Sequence, residues 1–84
     1  MMYYLIVCRS VTLAQRTAAA LERVGIQAQI LRAPRSISGE GCGYAVRVQE
    51  RDLSQAMVVL KRVGLNQSRI YIVSAEGGYR EVDV

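Results

Sequence analysis

Cys42 stands in the stretch APRSISGEGCGYAVRV, residues 33–48, with Gly39, Gly41 and Gly43 at alternate positions around it. Glycines at that spacing let the backbone take positive φ and put nothing bulky beside the sulfur. A polar, glycine-rich loop has little use for a cysteine as core filler, which is the usual role of a buried thiol. The pattern points to a reachable, functional thiol, whose nucleophilic form is the thiolate. Arg9 and Arg35 could supply positive potential, although a solvated loop cation is an equal reading of Arg35. Ser38 could donate to the sulfur, although capping a turn is its simpler reading. Cys8 could resolve Cys42 into a disulfide, or could simply be a buried strand residue, which fits its apolar surroundings better.

The composition narrows the alternatives. Eleven basic residues against seven acidic ones give a net charge of +4, compatible with nucleic acid, an acidic protein or small anions. Histidine is absent, which removes imidazole as base and as metal ligand, and two cysteines cannot complete a four-ligand zinc site, so neither metal nor cofactor is expected. No acid/base pair or nucleophile–base pair is visible, so independent turnover is not expected. No apolar run approaches the roughly 20 residues needed to span a bilayer, and no signal-peptide pattern opens the chain. The expected setting is the cytoplasm, where both cysteines stay reduced.

The elements that must position the loop follow from periodicity. Tyr3–Cys8 reads as a central strand. Ser10 or Thr12 caps a helix with the apolar stripe Leu13, Ala14, Ala18, Leu21 and Val24, closed by Gly25. Residues 26–31 alternate as a half-buried strand with Ile26, Ala28 and Ile30 inward, and residues 44–48 form a third strand. Asp52 caps a second helix with Leu53, Ala56, Met57, Leu60 and Val63 on its apolar face, closed by Gly64, and Arg69–Val73 is the next strand. Residues 74–84 carry Glu76-Gly77-Gly78 and form either a tail or an added hairpin strand. The two halves echo each other: both helices contain L-x-Q near the start and L-x-R-V-G at the end.

Strand–helix–strand repeated twice suggests one domain over residues 1–84, with a core from about 3 to 73. Its expected class is α+β, a ferredoxin-like βαββαβ sandwich with an antiparallel sheet and both helices on one face. In that order the first and third strands are adjacent and antiparallel, so Cys8, Cys42 and Thr12 meet at one edge of the sheet.

Read together, V-T-L-A-Q (residues 11–15), V-G-I (24–26), A-P-R (33–35), S-x-x-G-C-G-Y-A-V (38–46) and the second helix ending in Gly64 resemble the small selenium/sulfur carrier-like family. The resemblance runs to about Tyr71. It implies that Cys42 carries sulfur or selenium with Arg35 and Ser38 in its neighbourhood, while Gly41 and Gly43 flank the thiol in sequence and Arg9 is expected at the same sheet edge. The implied partners are a donor, such as a cysteine desulfurase or a selenium-delivering protein, and an acceptor enzyme. Cys8 departs from the family, which tends towards a bulky apolar residue there.

Three other readings compete. The glycines and arginines could form an anion or nucleotide-sensing nest, although Glu40 has the wrong sign and no phosphate-loop pattern is present. An open sheet face could bind RNA, but the third strand places Ala45, Arg47 and Gln49 where stacking aromatics would be needed, which disfavours nucleic acid. The chain could be an interaction module, and a homodimer through the open sheet face is compatible with any of these readings.

Overall fold

The computed structural model describes residues 2–34, 43–65, 69–74 and 76–82. Five strands, β1 (Tyr3–Cys8), β2 (Gln29–Arg32), β3 (Tyr44–Gln49), β4 (Arg69–Val73) and β5 (Tyr79–Val82), form one sheet in the order β2-β3-β1-β4-β5. Every neighbouring pair is antiparallel. Helix α1 (Val11–Glu22) follows β1, and α2 (Leu53–Val63) follows β3. The architecture is α+β, and β5 carries the strand order beyond that of a four-stranded βαββαβ unit. The added hairpin turns at Gly77, whose φ of 86° favours glycine, and the turn is closed by Gly77 N–H donating to the Ser74 carbonyl at 2.9 Å.

Both helices cover the same sheet face. Ile6 and Cys8 from β1, Val46 and Val48 from β3 and Ile70 from β4 pack with Ala14, Ala18 and Leu21 of α1 and Leu53, Ala56, Val59 and Leu60 of α2. On the other face Leu5, Ala45, Tyr71 and Val73 form a second cluster, each no more than 9% exposed. These apolar residues are already withdrawn from solvent within one chain, which reduces what pairing with a second copy through this face would gain.

The repeated L-x-R-V-G segment builds the same helix end twice. After α1, Ile26 N–H donates to the Leu21 carbonyl at 3.0 Å and Gly25 N–H to that of Glu22 at 3.0 Å; after α2, Leu65 N–H donates to Leu60 at 2.8 Å and Gly64 N–H to Lys61 at 3.3 Å. Both are Schellman closures, with glycine in the left-handed region at φ 83° and 78°. A Cβ at Gly25 or Gly64 would meet nothing within 4 Å, so alanine there carries the backbone penalty alone. Gly25→Ala and Gly64→Ala should each lower unfolding free energy by about 1–2 kcal/mol in urea titrations. Equal stability to the wild type would contradict this account of the caps.

Several local expectations are corrected, among them Val24 and Val63, expected on the apolar helix faces but 43% and 52% exposed. Strand β2 starts at Gln29 rather than Ile26, because the Ile26 N–H is already used in closing α1. Ile30, expected to face inward, is 37% exposed at the sheet edge. Asp52 makes no side-chain capping bond, since a 3-10 turn at Glu50–Asp52 leads directly into α2. The cap of α1 is Ser10, whose Oγ accepts from Leu13 N–H at 3.2 Å, while Thr12 lies inside the helix.

Candidate functional site

One edge of the sheet collects the end of β1, the end of β2, the beginnings of β3 and β4 and the start of α1. The registers fix this: Arg32 pairs with Tyr44, Tyr44 with Cys8, and Val7 with Arg69. The segment between β2 and β3 is closed at its base by Ala33 N–H donating to the Gly43 carbonyl at 3.1 Å. Cys42, Arg35, Ser38 and Gly41 lie outside the described residues. Gly43, the residue that follows Cys42, is buried where the chain re-enters the sheet.

Among the described residues this edge carries cations and no carboxylate, whereas the opposite end carries both signs. Arg9 follows β1, Arg32 ends β2 and Arg69 begins β4, and all three are exposed. Lys61 and Arg62 occupy the last turn of α2, which runs back from the end of β3 towards the start of β4, and they are exposed too. Of the described acidic residues, Glu22 ends α1, Glu50 and Asp52 follow β3 and Glu76 lies in the turn after β4, all at the opposite end, while Glu81 sits midway beside Tyr71. The described residues at the edge entered by Gly43 are therefore positive in sum, and the N-terminus of α1 adds its partial charge there. The Arg32 guanidinium lies over the Tyr44 ring, 5.9 Å from its centroid, which holds this cation against the strand it borders.

Cys8 belongs to the core. It is 1% exposed, its sulfur lies 3.7 Å from the Ile6 carbonyl and 3.9 Å from Thr17 Oγ1, and it packs in the cluster beneath both helices. Thr17, also 1% exposed, was missed as a core residue by the apolar periodicity; its hydroxyl is accommodated beside the Cys8 sulfur. Arg9 is the neighbouring residue but points the chain out of the sheet into the Ser10 cap and is exposed. Among the described residues, no group of three His, Cys, Asp or Glu could hold a metal ion, and no helix is long and apolar enough to cross a membrane.

A family model described as "Putative Se/S carrier protein-like" matches residues 3–72 of the 84. The chain belongs to that family. The match begins with β1 and stops within β4, so β5 lies outside it. Neither the curated proteins nor the solved structures compared with this Se/S carrier-like chain contain a match.

Proposed function

We propose that this Se/S carrier-like protein relays sulfur or selenium on Cys42 from a donor protein to an acceptor enzyme in the cytoplasm. The first four strands and both helices are read as the ferredoxin-like arrangement, extended by β5. In the loading step the Cys42 thiolate attacks the outer chalcogen of a donor persulfide or selenopersulfide. A new bond from the Cys42 sulfur to that atom forms as the donor's S–S or S–Se bond breaks, and the donor departs as a thiolate. The thiol proton passes to solvent or to the departing sulfur, and no outside oxidant is required. Delivery repeats the exchange with the acceptor as nucleophile.

The observation that best supports this reading is the basic edge at which Gly43 leads the Cys42 segment back into the sheet. A persulfide or selenopersulfide is anionic, as is the attacking thiolate, and cations nearby favour both. Arg35 and Ser38 are proposed as its neighbours, and Gly41 and Gly43 as the residues that leave the sulfur uncovered. Cys8, in the core, is left out of the relay. The test incubates the reduced protein with a cysteine desulfurase and cysteine, or selenocysteine as selenium source. One added chalcogen atom per chain, confined to the Cys42 peptide in mass spectra, is expected; an unloaded chain, or mass on the Cys8 peptide, would overturn the reading.

The electrostatic part has its own check. A unit charge about 10 Å away contributes about 0.4 kcal/mol in water, reduced roughly e-fold by physiological salt. Reversing both Arg9 and Arg32 to glutamate should therefore slow alkylation of Cys42 by anionic iodoacetate by about threefold. Alkylation by neutral iodoacetamide should change less, and the gap should close at high salt. An unchanged iodoacetate-to-iodoacetamide ratio would remove the role assigned to the edge.

A further inference from the structure

At the end of β3 remote from Gly43, a half-open cleft of about 680 Å³ lies between the N-terminus of β1, the end of α1 and the chain entering β2. The geometry points to a second binding site here, for a short peptide with free termini. The volume falls within the 300–1,000 Å³ range of sites that enclose small ligands. Its charged lining is balanced, Arg47 and Arg51 against Glu22 and Glu50, so a phosphorylated ligand would meet two carboxylates along with the cations. Among the described residues, Glu22, Glu50 and Arg51 have no ion-pair partner. The Arg47 guanidinium lies over one face of the Tyr3 ring, 5.4 Å from its centroid.

A zwitterion matches what remains, its ammonium directed to Glu22 or Glu50 and its carboxylate to Arg47 or Arg51. The same cleft is lined by Gln27, Gln29 and Gln49, with Gln49 Nε2 donating to Gln27 Oε1 at 3.4 Å. Side-chain amides offer both donors and acceptors, the complement of peptide groups. A single amino acid would leave most of them unused, which is why a peptide is inferred. This site is about five strand residues, roughly 17 Å, from Gly43, and its occupancy does not depend on the carrier reading.

The test titrates trialanine into the ¹⁵N-labelled full chain and follows backbone amide shifts. Saturable shifts at residues 27–29 and 47–51, with a dissociation constant at or below about 1 mM, are expected. Acetylating and amidating the peptide termini should weaken binding about tenfold or more. Glu50→Gln and Arg51→Gln, both exposed positions, should each weaken it several-fold with the remaining spectrum unchanged. Absence of saturable shifts up to about 10 mM, equal binding of the capped peptide, or tighter binding of ATP than of trialanine at these residues would overturn the assignment.

Discussion

Leu21→Ala or Leu60→Ala is expected to leave the chain at the edge of unfolding under native conditions. The two leucines occupy the same place in the repeated L-x-R-V-G segment, are 0% and 1% exposed, and meet in the cluster between the helices and the sheet. Truncating a buried leucine costs about 2–5 kcal/mol through lost transfer energy and the cavity left behind. An 84-residue chain has roughly 4–13 kcal/mol of stability in total, so either loss is a large share. Val24 and Val63, three residues later in each segment, are 43% and 52% exposed, and their replacement by alanine should cost within about 0.5 kcal/mol. Urea unfolding of the four variants checks this pattern. Equal costs at the leucine and valine positions would show that the core is not where the repeat places it.

The second large effect concerns function. Cys42→Ser should eliminate chalcogen loading from the desulfurase, because a serine hydroxyl at neutral pH neither attacks the persulfide nor holds the transferred atom. Cys8→Ala should keep loading and lose some stability, since Cys8 fills space beneath α1 beside Thr17. Intact mass spectra before and after reduction distinguish the two variants. Loading retained by Cys42→Ser, or lost by a folded Cys8→Ala, would remove Cys42 as the sole carrier.

Much of this arrangement was legible in the residues. The two helical stripes, the strand at Tyr3–Cys8 and the pairing of β1 with β3 followed from periodicity and from the order of the elements. Both Gly25 and Gly64 were legible as helix ends because each follows the same L-x-R-V segment. What escaped had local physical causes. Val24 and Val63 were expected inside by helical spacing, but each stands just before a left-handed glycine, where the chain leaves the helix and no strand covers it. Thr17 and Val59 are buried outside the expected stripes: the hydroxyl of Thr17 reads as polar although it stands beside the Cys8 sulfur, and Val59 lies one position before Leu60 of the stripe, whose Met57 is only half-buried. Residues 26–28 alternate like a strand, yet closing α1 uses the Ile26 N–H before pairing with β3 begins.

For the candidate site, the residues name Cys42 as an expectation, and that residue lies outside the described ones. The sequence could not show the gathering of cations at that edge, because Lys61, Arg62 and Arg69 join Arg9 and Arg32 only when α2 returns along the sheet. The cleft at the other end was equally hidden, since its lining comes from the separate stretches 2–3, 22–29 and 47–51.

The central claim is that the chain holds one accessible thiol at a basic edge and one thiol in its core. Brief alkylation of the reduced, native protein with iodoacetamide, followed by peptide mass mapping, tests it directly. The account predicts modification of the Cys42 peptide while the Cys8 peptide stays unmodified until urea unfolds the chain. A Cys42 as protected as Cys8 would contradict it, because a covered thiol could neither receive nor deliver a chalcogen atom.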